Sequence, residues 1–436
     1  MSKIQEYCQS LRTPDTFFNI SYVIMMFMMV TLPITVFFMW PIGIALMLLW
    51  ICQWNWHEKW ENFKANDGIP YGFFLLGVFL IPVLGFINST NMPIAWRSFE
   101  CHLWFFVTPL VFLTTSAKLW SKRHINTLLA LFSISQILLL VFLFARGIYK
   151  THETGDSSYM YNNSFCYIHH HAYVALYATF VYLLIFSYLI NHFHKISRKR
   201  FVLLCLLELF IAVGVFCVYS RAGILTFLLM HTIWCGYAIY KRPSTWKYML
   251  AIAFFAGGLF TILIATSPSN RFTEGAFSFR HRKKTHKQID PRLIIWEAAW
   301  DGAIENLPWG VGTGDGNDVI VEKYHENGHW KKSNHSYNAH NQFLFALLTN
   351  GIPGLIIILL YFYAPLGLAI KNRDFFLFTL FLLMTCNCLV ECMFDRRAGV
   401  DFFAIMIPLM LLRSKSYSMY KSQVPNLKSQ VSSLKS

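Results

Sequence analysis

His340 and Asn341, in NAHNQFLFALLTNGIPG, stand where a long polar stretch gives way to an apolar run. A neutral imidazole at such a border can take a proton from a hydroxyl near neutral pH, and it can equally be a helix-start residue with a structural hydrogen bond. Arg221, in CVYSRAGILTFLL, falls between two apolar runs, and Arg292 opens the amphipathic stretch RLIIWEAAW. An arginine between apolar runs must face protein, water or an anion, or carry its head to a membrane interface. A guanidinium keeps its charge at every physiological pH and grips phosphate oxygens in two-pronged fashion, so Arg221 could hold an anion, whereas Arg292 taken alone reads as a solvated helix end. Glu391 and the cluster Asp395-Arg396-Arg397 lie between the last two apolar runs, where they could meet substrate or pair with one another.

His169, His170 and His171, with His325, His329 and His335, raise the question of a metal. Three consecutive imidazoles cannot converge on one ion from a single helix. His325 and His329 have the spacing of a helical pair, but Asn327 and Gly328 between them oppose a stable helix. The run PWGVGTGDGND has the glycine content of a phosphate loop without its other parts, since no Gly-Lys-Ser/Thr follows and no strand precedes; it reads as tight turns. Asp315 and Asp318 could approach a cation, although the calcium-loop pattern is incomplete. No CxxC pair occurs, and Cys205, Cys217, Cys235, Cys386 and Cys388 sit in apolar runs as packed hydrophobes. The residues indicate neither a metal nor a cofactor.

The elements that carry these residues follow from composition. The chain has 436 residues, 56% hydrophobic and 14% charged, against roughly 25% charged in soluble domains. With a mean hydropathy of +0.43, it reads as an all-α integral membrane protein. Soluble, collagen-like, disordered and disulfide-scaffold classes are excluded. Taking ~20 apolar residues per crossing, about 12 transmembrane helices are expected, at 17–34, 36–53, 71–88, 102–117, 126–145, 171–190, 201–219, 222–240, 248–266, 341–362, 375–390 and 399–412. Pro33 and its neighbours divide the first two. Residues 1–16 read as a cytoplasmic lead, polar for too long to be a signal peptide, 17–266 as spans 1–9, and 267–340 as one long periplasmic loop. Residues 341–412 then carry spans 10–12, and the KSQ-rich tail 413–436 reads as disordered and cytoplasmic. No internal repeat is evident.

The net charge of +15 has to be read by position. With the N-terminus inside, the short inner segments hold 21 of the 37 Lys and Arg residues, and the short outer loops hold six. The other ten fall in 267–340, and long segments translocate regardless of charge. Both termini are therefore expected in the cytoplasm. Nucleic acid is not an expected partner. The basic run RHRKKTHK (280–287) suits anionic lipid headgroups or an anionic glycolipid, or it is a solvated loop.

Three stretches together resemble the O-antigen ligase and O-antigen polymerase superfamily: SRAGILTFL (220–228), RLIIWEAAWDGAIENLPWGVGTGDGN (292–317) and HNQFLFALLTNGIPG (340–354). HHAYVALY (170–177) and ECMFDRRAGVDFFA (391–404) resemble further family segments more weakly. The resemblance implies a GT-C-type membrane glycosyltransferase of the bacterial inner membrane. Such an enzyme moves a glycan from a polyprenyl diphosphate carrier to an acceptor on the periplasmic side, without a metal. Residue by residue, it implies His340 as the catalytic histidine and Arg221 and Arg292 as catalytic arginines on the carrier diphosphate. Asn341, His171, Glu391 and Arg396 follow as further substrate-binding candidates.

The chemistry agrees. The sugar C1 already bears a leaving group, so the site must remove a proton from the acceptor hydroxyl and stabilise charge on the departing phosphate. A histidine base and fixed guanidinium groups serve those ends, and attack opposite the leaving group inverts the anomeric centre. The leading expectation is a ligase with a lipid A–core acceptor. A polymerase extending the glycan on its carrier, or a protein O-glycosylating relative, shares the same motifs. A non-enzymatic polysaccharide or glycolipid transporter would place charged residues near the bilayer midplane and show internal symmetry. The sequence reading puts the charges at span ends and finds no repeat.

Overall fold

The computed structural model describes residues 14–66, 68–243, 291–328 and 338–433. Every regular element among them is helical. The expected ninth span (248–266), the basic run 280–287, His329 and His335 lie outside the described residues.

In chain order the helices are α1 (Pro14–Ile34), α2 (Met39–Cys52), α3 (Trp56–Ala65), α4 (Phe73–Gly77), α5 (Leu80–Asn88), α6 (Met92–His102), α7 (Trp104–Thr114) and α8 (Lys122–Thr154). There follow α9 (Asn162–Phe165), α10 (His171–His192), α11 (Arg198–Val218), α12 (Arg221–Lys241), α13 (Pro291–Glu305), α14 (Gly316–Glu326), α15 (Gln342–Lys371), α16 (Phe375–Cys388) and α17 (Arg397–Ser433). Six of them, α1, α8, α10, α11, α12 and α15, are long and apolar enough to cross a membrane. This is a multi-pass membrane protein.

Of the remaining expected spans among the described residues, those at 36–53, 71–88, 102–117 and 375–390 are shorter or broken, whereas 399–412 lies within α17. Residues 71–88 divide into α4 and α5, and α7 has only 11 residues with Pro109 inside it. A hydropathy window averages across such breaks, because proline and glycine lower local helicity without lowering apolar content. In the other direction, α17 continues to Ser433. Extending an existing helix adds a hydrogen bond per residue with no new nucleus to form.

The chain forms two compact units. The first comprises residues 1–132, 298–382 and 392–436, and the second 133–297 and 383–391. In the first, the core is aromatic. Phe105, Tyr361, Phe394 and Phe403 meet ring against ring at 4.8–5.8 Å, which places the turn before α17 on α7 and α15. Each such pair contributes about 0.5–1.5 kcal/mol beyond its buried area. Thr108 on α7 adds a hydrogen bond from its Oγ1 to the carbonyl of Ala404, at 2.7 Å.

In the second unit α10 is the central helix. Its small residues Ala172, Ala175 and Ala178 are buried and let α11 and α12 approach closely. A Cβ on Gly223 of α12 would lie 2.5 Å from that of Ala175, so glycine is required where those helices touch. Only Tyr219 and Ser220 separate α11 from α12. Tyr219 caps α11 in the left-handed region (φ +54°), and the Ser220 hydroxyl accepts from the Gly223 amide at 3.2 Å.

Candidate functional site

In the first unit, the residues just before α15 form a hydrogen-bonded knot. Asn341 is the N-cap of α15, its Oδ1 accepting from the amides of Phe343 and Leu344 at 3.0 Å each. Such a cap is worth about 1 kcal/mol. His340 precedes it in the left-handed region (φ +43°), and its amide donates to Asn338 Oδ1 at 3.2 Å. Asn338 Nδ2 in turn donates to the Asp395 carboxylate at 3.0 Å. Gln342, buried at the first position of α15, accepts from the Phe394 amide at 2.7 Å. The segment around His340 is thereby fastened to 394–395. A histidine at positive φ costs about 1–2 kcal/mol relative to glycine, and such strain persists where the surroundings impose it.

The glycine-rich run docks on the same helix. Residue Gly351 breaks α15 (φ +59°, ψ −151°), and the amide of Ile352 donates to Pro308 O at 2.9 Å. The amides of Val311 and Gly312 donate to the carbonyls of Leu348 and Thr349 at 2.9 and 2.7 Å. A Cβ at Gly351 would lie 1.9 Å from Pro308 O, and one at Gly310 2.6 Å from the Asn350 amide. These glycines permit close backbone contact, as expected of tight turns. Asp315 accepts from the Thr90 amide, the Thr90 hydroxyl and the Asn91 amide at 2.6–2.9 Å. Its carboxylate therefore clamps the run to the turn between α5 and α6. Beyond it, α14 ends at Glu326, with Gly328 at φ +80°.

In the second unit, His171 and Arg221 are the first residues of α10 and α12, whose opening turns touch at Ala175 and Gly223. These two expected residues are thus brought to the same end of one helix pair. Arg221 is exposed and has no acidic partner among the described residues. His171 Nδ1 lies 2.7 Å from Asn163 Oδ1, and its ring lies 4.0 Å from that of His170. Arg292 belongs to this unit as the second residue of α13 and is half-buried. Glu391 is buried in the second unit, whereas Arg396 is exposed in the first.

Sequence reasoning overlooked buried ionisable residues within the helices, Glu208 among them. Glu208, in LLCLLELFIAV, is the eleventh of the 21 residues of α11 and only 7% exposed. It corrects the expectation that charged residues occupy span ends only. A single glutamate in an apolar run carries little weight in a hydropathy average, although its type and position were in plain view.

Residues 205–359 match the family model described as O-antigen ligase. The matched range contains Arg221, Arg292, His340 and Asn341, and it leaves out His171, Glu391 and Arg396. No curated protein matches the chain.

Proposed function

Membership of the O-antigen ligase and polymerase superfamily, which the match over residues 205–359 supports, is the premise from which we propose that this chain is an O-antigen ligase-like glycosyltransferase. In this reading it takes a glycan from a polyprenyl diphosphate carrier in the inner membrane and joins it, on the periplasmic side, to a lipid A–core acceptor. The observation that carries it is that Arg221, Arg292 and His340 all fall inside the matched range. The left-handed backbone at His340, imposed by Asn338 and the Asn341 cap, supports a functional reason for that residue.

His340 accepts the proton of the acceptor hydroxyl as its oxygen attacks the anomeric carbon. The bond from that carbon to the diphosphate oxygen breaks, and the electron pair leaves with the carrier diphosphate. Arg221 and Arg292 stabilise the charge gathering on those phosphate oxygens, with two-pronged contacts that an ammonium group reproduces poorly. The carbon is attacked opposite its leaving group, so its configuration inverts. General-base assistance contributes roughly 10²–10⁴-fold. No step calls on a metal.

The deciding experiment is mass spectrometry of surface glycans from a strain lacking the gene. Lipid A–core without polymer, together with long carrier-linked polymer, is the expected result. Core capped by single repeat units would replace the ligase with a polymerase of the same superfamily.

A further inference from the structure

The buried carboxyl of Glu208 does not stand alone. It lies against the Tyr182 hydroxyl of α10, yet neither of its oxygens closes a hydrogen bond of ordinary geometry. The Tyr182 hydroxyl is 2.6 Å from His231 Nδ1 on α12, and His231 Nε2 is 3.5 Å from Cys235 Sγ. Tyr182 is the twelfth of 22 residues in α10, and His231 the eleventh of 21 in α12. Carboxyl, phenol and imidazole therefore sit at the middle of three consecutive helices. Phe186 and Phe227 stack on or against Tyr182, and Trp234 closes on Phe186, so the polar groups are walled by aromatic rings. The ionisable groups facing Glu208 among the described residues are Tyr182 and Cys235 from the other helices and Cys205 from its own, and His231 meets Tyr182 and Cys235.

We propose that Glu208, Tyr182 and His231 form a proton-binding site at the centre of the second unit. Apolar packing would satisfy these helices at less cost than a buried carboxyl, and a neutral amide would serve for hydrogen bonding alone. Closure of the gap between Glu208 and the Tyr182 hydroxyl would complete either of two hydrogen-bond chains, built on the Tyr182–His231–Cys235 contacts and differing by one proton. With Glu208 protonated, its O–H donates to Tyr182, the phenol donates to His231 Nδ1, and Nε2–H donates to Cys235 Sγ. When the proton leaves Glu208 for water, every donor reverses. Tyr182 then donates to the carboxylate, His231 Nδ1–H donates to Tyr182, and the Cys235 thiol donates to Nε2. The imidazole stays neutral in both states and exchanges one tautomer for the other. The helices joined by this chain begin at His171 and Arg221, so the site's protonation state acts on the elements that present those residues. The proposal does not depend on the glycosyltransferase reading.

The test uses full-length protein in lipid nanodiscs. Infrared difference spectra across a pH titration should show a protonated-carboxyl band that weakens as pH rises and disappears in Glu208→Gln. In the otherwise unaltered chain, Tyr182→Phe should move the midpoint by about one pH unit or more. Nitrogen NMR of labelled histidine should show a ring that changes tautomer across the same midpoint and is lost in His231→Gln. A Glu208 band constant at every pH, a midpoint indifferent to Tyr182→Phe, or a fixed His231 tautomer would each overturn the proposal and leave a structural hydrogen bond between helices. Should Glu208→Gln fail to fold, the Tyr182→Phe shift and the tautomer signal still decide the matter.

Discussion

His340 offers a clean separation of function from stability. Its backbone is held at φ +43°, a conformation that costs a residue with a Cβ about 1–2 kcal/mol. Replacement by glycine relieves that strain but restores about 0.5–1 kcal/mol of backbone freedom to the unfolded chain. The two partly cancel, leaving His340→Gly neutral or stabilising by up to about 1.5 kcal/mol. The Asn341 cap, the Gln342–Phe394 bond and the Asn338–Asp395 bond use none of the histidine side chain, so the knot should survive. Apparent melting temperatures of His340→Gly and His340→Ala in detergent or nanodiscs should then stay within ~4 °C of the parent. Turnover of a polyprenyl-diphosphate glycan with lipid A–core acceptor should fall by roughly 10²–10⁴ in both variants. Turnover within a few-fold of the parent refutes the general-base assignment. A large loss of thermal stability in both variants would show instead that the side chain supports the fold and that the backbone strain argument is wrong.

Arg221→Lys keeps the charge at an exposed helix start, so it should fold and express normally while losing most transfer activity; near-normal turnover would make Arg221 an interface anchor. Gly351→Ala puts a Cβ 1.9 Å from Pro308 O at φ +59° and should destabilise by about 3 kcal/mol or more; an unchanged melting temperature would show that the glycine-rich run does not dock as described. Lys59, buried beneath Trp50 and Trp56 with its ammonium donating to Trp50 O, has its pKa lowered by that burial to about 8. Between about 8 and the lysine value of 10.5, the unfolded chain holds a proton that the folded chain has released. Stability should therefore rise with pH through that window, a slope that Lys59→Met removes; the same slope in the variant would assign it to other groups.

Membrane class, the long helices and the local character of the motifs were all legible in the order of residues. Apolar runs of sufficient length form helices in any fold that keeps them out of water, and the starts of α10, α12 and α15 fall within one residue of the expected spans at 171, 222 and 341. Asn327 and Gly328 ended α14 as local propensity requires. Tertiary contacts decided the rest. That Asp315 would be consumed by Thr90 and Asn91, more than 220 residues away, depends on a backbone meeting that no local pattern encodes. The break in α15 at Gly351 is likewise set by the Pro308 carbonyl that lies against it. Glu208 makes the same point most sharply. Its presence in an apolar run was written in the sequence, but the phenol beside it and the imidazole that meets that phenol come from two other helices, each carrying its polar residue near its middle. Residue type sets the energy of a group in a given environment, and the environment exists only once the helices have packed.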